Sequence, residues 1–154
     1  MNNPTDIPLR PVGQSERRML VIDDEEHINA AVKDYFTMLG YEVDCAQDEA
    51  AARALLDRSN YAVLITDLQL STYRRIGGLD LIAYARNRHP DTVCIVLTAH
   101  GDAENRKEAW RRGADTFLQK PTPLHSLAGL VAERLRERAM PRACCPAGTR
   151  IRSS

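Results

Sequence analysis

Apolar residues fall into five short runs separated by stretches of helical spacing. Met19-Leu20-Val21-Ile22 is too short for a helix and ends on Asp23-Asp24, the pattern of a buried strand. Ile28, Ala31, Val32, Tyr35 and Leu39 then recur at helical spacing, with Gly40 as the stop. Tyr41 to Ala46 is a second strand, less apolar and so nearer an edge. Glu49 to Leu56 is alanine-rich and helical, with Asp48 placed to cap it. Tyr61-Ala62-Val63-Leu64-Ile65 is a third, wholly apolar strand ending at Thr66-Asp67. A polar loop runs to Gly77-Gly78, Leu79 to Arg88 is helical, and His89-Pro90-Asp91 breaks the helix. Val93-Cys94-Ile95-Val96-Leu97 is a fourth buried strand closing on Thr98. Asp102 caps a helix that reaches Arg112 and stops at Gly113. Thr116-Phe117-Leu118 is the fifth strand, ending at Lys120-Pro121. Thr122 then caps, and Pro123 opens, a helix with Leu124, Leu127, Val131 and Leu135 on one face.

Five strand-then-helix units with apolar strands predict an α/β fold, a parallel sheet covered on both faces. Right-handed crossovers make it doubly wound, and the first, third and fourth strands, the most apolar, belong at its centre. Residues 1–17 carry Pro4, Pro8 and Pro11 without periodicity and read as a flexible N-terminal arm; 18–140 is the folded domain. Residues 141–154 read as a disordered, mildly basic tail. Nothing after residue 140 is long enough for an output domain, so a stand-alone domain is expected.

Composition narrows the function. Of 154 residues, 44% are hydrophobic and 27% charged, a globular balance. Lys+Arg and Asp+Glu are both 21, which argues against direct DNA binding by a basic face. No apolar run approaches the roughly 20 residues of a membrane span, and no secretory signal opens the chain; a cytoplasmic protein is expected. Cys45 and Cys94 lie in strands as small hydrophobes. Cys144 and Cys145 are adjacent in the tail, and no Cys/His spacing suggests zinc.

Chemistry gathers at the strand ends. In a doubly wound sheet, ligands bind beyond the carboxyl ends of the strands. Strand one delivers Asp23 and Asp24, strand three Asp67, strand four Thr98 and strand five Lys120. Crowded carboxylates need a cation, and hard oxygen ligands at an open site suit Mg2+. The lysine neutralises the acids or holds an anion beside the metal, and the hydroxyl orients it. Together they suit a phosphoryl group, with Asp67 able to attack phosphorus. Singly, each residue has a plainer reading. Asp23-Asp24 fits a solvated helix start, Asp67 a loop cap, Lys120 a surface charge, Thr98 a strand-end hydroxyl and Phe117 core.

Val21-Ile22-Asp23-Asp24-Glu25, Leu64-Ile65-Thr66-Asp67-Leu68, Val96-Leu97-Thr98-Ala99-His100-Gly101 and Phe117-Leu118-Gln119-Lys120-Pro121, in this order, resemble the receiver domain of two-component response regulators. The likeness covers about residues 17–140. It implies a flavodoxin-like (βα)5 sheet with strand order 2-1-3-4-5. It also implies that Asp67 is the phosphoacceptor, charged from a phosphohistidine on a sensor histidine kinase or phosphotransfer protein. Asp24 would hold Mg2+ directly, Asp23 through water, and Asp67 and the Gln69 backbone carbonyl would complete the protein's ligands. Lys120 and Thr98 would bond phosphoryl oxygens, Lys120–Pro121 would be cis, and Thr98 with Phe117 would form the switch. Gln69 and His100 lie beside the path of hydrolytic water and would tune the lifetime of the phosphorylated state. Output would pass from the face of the fourth helix, fifth strand and fifth helix to a downstream protein. Trp110, on that helix, reads as core or partner surface.

The chain departs from the family pattern in places. The loop after Asp67 is about three residues longer than usual and has Ser71 where a proline is common. Phe117 stands where tyrosine is frequent, without its hydroxyl. Two rival readings remain open: an unphosphorylated pseudo-receiver used for docking, and a haloacid-dehalogenase-like phosphatase. The phosphatase normally needs a second acid where Gln69 stands.

Overall fold

The computed structural model describes residues 17–68, 77–99 and 102–139. The tail at 141–154, the arm up to residue 16, and Gln69 and His100 lie outside them. Ten elements alternate: β1 (Arg18–Ile22), α1 (Glu26–Met38), β2 (Glu42–Ala46), α2 (Glu49–Arg58), β3 (Val63–Thr66), α3 (Gly77–Arg88), β4 (Val93–Thr98), α4 (Ala103–Arg112), β5 (Thr116–Gln119) and α5 (Leu124–Ala139). All strand pairs are parallel and the order is β2-β1-β3-β4-β5. The three most apolar runs take the centre, as expected: β3 and β4 are buried along their whole length and β1 at all but its first residue, whereas β2 and β5 carry exposed positions.

Strand alternation divides the core into two layers. Leu20, Ile22, Leu64, Cys94 and Val96 face Ala52, Leu56, Leu79, Ile82 and Ala109, the side of α2, α3 and α4. Met19, Val21, Val63, Ile65, Ile95 and Leu97 face Val32, Phe36, Leu127 and Val131, the side of α1 and α5. Asp48 and Asp102 cap α2 and α4, accepting from Ala51 N and Asn105 N, each at 2.8 Å. Gly40 and Gly113 follow α1 and α4 with φ of +102° and +112°, a left-handed turn where a side chain would be strained.

Local packing moves several expected features. The buried stripe of α1 is Asn29, Val32 and Phe36, one residue on from the stripe inferred from spacing, and Leu39 is exposed. Phe36 takes the inward position, fully buried and edge-on to both Tyr35 and Tyr41. β3 starts at Val63 rather than Tyr61, whose phenol donates to Asp44 at 2.6 Å and whose carbonyl accepts from the Thr92 hydroxyl at 2.7 Å. Thr122 turns its hydroxyl back to the Gln119 carbonyl, and the first turn of α5 closes on the Pro123 carbonyl instead. Trp110 is 46% exposed and is surface, not core.

Candidate functional site

Parallel strands carry their following residues to one edge, so Asp23, Asp67, Thr98 and Lys120 arrive together from four strands. The backbone sets their heights. Asp23 N donates to Ala46 O, Asp67 N to Ile22 O at 3.1 Å, and Lys120 N to Thr98 O at 2.8 Å. These bonds extend the β1–β2, β1–β3 and β4–β5 ladders by one residue beyond the strands, which stops the site residues from fraying away from one another. Thr66 Oγ1 bonds the Asp67 carbonyl at 2.8 Å. The peptide that carries Asp67 is thus held on both sides.

Gly78 completes the floor. At this first turn of α3 the helix lies against the strand end, with Gly78 N donating to Leu68 O. A Cβ there would overlap the Asp67 carbonyl oxygen and crowd Leu68 Cα. Only glycine lets the helix approach this closely.

The side chains converge on the lysine. Lys120 Nζ donates to Asp23 Oδ2 at 2.6 Å and to Asp67 Oδ2 at 3.1 Å. Asp23 Oδ1 also accepts from Glu25 N at 3.0 Å. Asp23 and Asp67 are 3% and 8% exposed and Thr98 is fully buried, while Asp24 lies open to solvent. Burial, with the charge of Asp67 beside it, pushes the Asp23 carboxyl above its usual range despite the bonds from Lys120 and Glu25 N. Burial acts on Lys120 in the opposite sense, but Asp23 and Asp67 outweigh it and raise the ammonium, which stays charged. Three carboxylates thus meet one firm cation, and negative charge is left over.

That excess fits a divalent metal. Oxygens of Asp23, Asp24 and Asp67 lie within 4.8 Å of one another, hard donors with no sulfur or imidazole among them and one open side. This donor set suits Mg2+ or Ca2+ rather than zinc. Among the described residues it is the one cluster with such spacing.

Of the predicted switch residues, Thr98 stands at this edge and Phe117, level with Val96, lies below it. Thr98 ends β4 opposite Gln119, and Phe117 is buried in the layer with Ala109 and Ala114. The Lys120–Pro121 bond is cis. The Arg106 guanidinium of α4 stacks over the Phe117 ring, 4.9 Å from its centroid, a cation–π contact that spacing along the chain did not reveal. Asn29, likewise unforeseen, bonds the ends of β1 and β2 from beneath. Its signal was a polar residue on the buried stripe of an amphipathic helix. Of the scattered histidines, His89 bonds the Leu56 carbonyl, and His27 and His125 are exposed; none of these three joins the acid cluster.

Comparison with known proteins agrees with this fold. Residues 19–132 match the response regulator receiver domain family. The chain is 34% identical over 124 residues to the response regulator protein PilR of Pseudomonas aeruginosa, an alignment covering 80% of this chain and 27% of PilR. It spans about a quarter to a half of the length of the curated relatives it matches. A CheY-like receiver domain from Methanospirillum hungatei superposes with a TM-score of 0.75 at 25% identity, over 79% of this chain and 95% of that one. A response regulator from Burkholderia pseudomallei, solved with a phosphorylated aspartic acid, calcium ion and citrate, has a TM-score of 0.69 at 28% identity. That match covers 80% and 73% of the two chains.

Proposed function

The chain belongs to the response regulator receiver family of two-component systems, and we propose that residues 18–140 accept a phosphoryl group on Asp67 from a phosphohistidine of a sensor kinase or phosphotransfer protein. The observation that carries this reading is Lys120 Nζ bonded at once to Asp67 and Asp23 at the open edge of the sheet. An ammonium and a carboxylate nucleophile already share the place where a phosphoryl oxygen must sit.

In the transfer, a carboxylate oxygen of Asp67 attacks phosphorus and the imidazole nitrogen leaves with the bonding pair. The product is an acyl phosphate. Its phosphoryl group carries about 1.5–2 negative charges in place of the single charge the carboxylate gives up, and Lys120 balances part of them by exchanging its bond to Asp67 for one to a phosphoryl oxygen. Asp23, Asp24 and Asp67, with the Gln69 carbonyl, are the residues that would hold Mg2+. The ion, when bound, neutralises charge on the transferring group. Most of the protein's contribution is positioning and electrostatics.

The signal then moves down β4. Thr98 donates its hydroxyl to the phosphoryl group, and Phe117 answers in the space beside it. A donor that prefers one state supplies the differential interaction that a switch requires. Because Arg106 covers the Phe117 ring, the response reaches α4 and the α4–β5–α5 face, where Trp110 is exposed, for a downstream partner. Gln69 and His100 tune the lifetime of the adduct. No helix among the described residues is long and apolar enough to cross a membrane, and we place the exchange in the cytoplasm.

Incubation with acetyl phosphate and Mg2+, followed by intact mass and peptide mapping, tests the proposal. A single acid-stable, base-labile phosphate on the peptide bearing Asp67 is expected. A folded chain that takes up no phosphate and does not respond to beryllofluoride with Mg2+ would be a docking pseudo-receiver instead. Steady turnover of a simple phosphate ester, without a lasting adduct, would point to a phosphatase.

A further inference from the structure

Asn29 is the one polar residue on the buried stripe of α1, which it shares with Val32 and Phe36. It is 4% exposed, and a carboxamide in such a layer is destabilising unless its polar atoms are bonded. Its Nδ2 donates to the Asp23 carbonyl at 2.9 Å and to the Ala46 carbonyl at 3.1 Å. Its Oδ1 is also buried and has no bonding partner among the described residues. An apolar side chain would suit the layer better. Both bonds that Asn29 makes go to backbone at the edge of the acid pocket.

The three acids are held in different ways. Asp23 is fixed through its own carboxylate by Lys120 and Glu25 N, and Asp67 is bonded by Lys120. Asp24 is exposed, and no side-chain bond to another described residue holds it. Its direction follows from the peptide between Asp23 and Asp24, and the oxygen of that peptide is the one that Asn29 grips. Bonds one step behind the ligands commonly set metal affinity, because they orient ligands before the ion arrives.

We infer that Asn29 is a positioning residue for the divalent cation: by pinning the Asp23–Asp24 peptide to the end of β2 it preorganises Asp24 as a ligand. The inference rests on the metal-binding reading of the acid pocket given above. It makes Asn29 a determinant of ion affinity from inside an apolar layer, with no direct contact to the ion.

Calorimetric titration of the full chain with Mg2+ tests it, using the wild type, Asn29→Ala, Asp24→Asn and the double variant, with thermal unfolding of each without metal. Asn29→Ala is expected to weaken Mg2+ about ten-fold or more. In the Asp24→Asn background the same change should cost less than about two-fold, because the ligand it orients is already gone. A tie that serves only the fold would lower the unfolding temperature and leave that coupling at zero. Wild-type affinity in Asn29→Ala, or an equal loss in both backgrounds, overturns the inference. Should Asn29→Ala be unfolded at the titration temperature, Asn29→Ser, which keeps one donor, replaces it under the same two criteria. A folded wild type that binds no Mg2+ overturns the metal reading and the inference with it, and the wild-type titration alone tells that failure from the others.

Discussion

The two ends of the sheet handle carboxylates in opposite ways. At the amino end Asp115 precedes β5. Its Oδ2 accepts from Arg86 at 2.8 Å and from Cys94 N at 2.9 Å, and its Oδ1 from Arg138 at 2.9 Å. The same arginines donate to the carbonyls of Pro90 and Gly113. One acid there ties α3, β4, β5 and α5 together, with its charge more than balanced. At the carboxyl end three acids cluster, only Asp23 and Asp67 share the one lysine, and burial raises the pKa of Asp23. A satisfied ion network holds a fold; an unsatisfied one is held by the fold, and is available to a cation and a phosphoryl group. The destabilising charge sits where the chemistry is proposed.

That contrast can be broken from either end. Asp67→Asn has the largest expected effect: covalent phosphate uptake disappears by intact mass while circular dichroism stays native. Uptake that survives would mean the acceptor is another residue. Lys120→Ala should permit uptake but slow it about 100-fold and blunt the spectral change that beryllofluoride causes; an undiminished change would contradict its role. Gly78→Ala forces a methyl group against the Asp67 carbonyl. It should cost about 2–4 kcal/mol in urea unfolding and impair uptake, whereas Gly129→Ala, at an open position, should not destabilise.

At the amino end, Asp115→Ala leaves the Cys94 N–H without its acceptor and two arginines without their counter-charge. A loss of about 2–3 kcal/mol is expected, with Mg2+ affinity nearly unchanged. A large loss of affinity there would mean that the two ends are not independent. The smallest effect is a pH dependence. Asp23 titrates higher in the folded protein than unfolded, so stability from its protonated form is present at low pH and lost as pH rises through the folded pKa. Without metal, Asp23→Asn should therefore gain stability relative to the wild type as pH rises through a window above the usual carboxylate range. A difference that is flat with pH would show that Lys120 fully offsets the burial of Asp23.

Much of the site was legible in the sequence because the relevant residues follow strands directly. Asp23, Asp67 and Lys120 each stand one residue beyond a strand, and parallel pairing carries such residues to one edge. Asn29 and Asp115 were not legible in this way. Asn29 looks like an interruption in a helical face until the helix is docked, and spacing alone placed that face one residue off. Asp115 looks like a turn residue until Arg86 and Arg138 arrive from two different helices. Arg106 over Phe117 is of the same kind, a contact between an exposed helix position and a strand that no periodicity encodes.

By itself, then, the chain determined its own alternation: which runs are strands, which of them are buried on both faces, and which residues leave their carboxyl ends. These follow from local propensity and from the two-residue and 3.6-residue periods, which act over a few neighbours. Tertiary structure alone decided that Lys120 bonds Asp23, 97 residues away in sequence, more closely than Asp67, that Asn29 grips the peptide behind Asp24, and that Asp115 gathers its arginines. Those contacts depend on how helices rotate and seat on a twisted sheet, where shifts of about an ångström choose the partner.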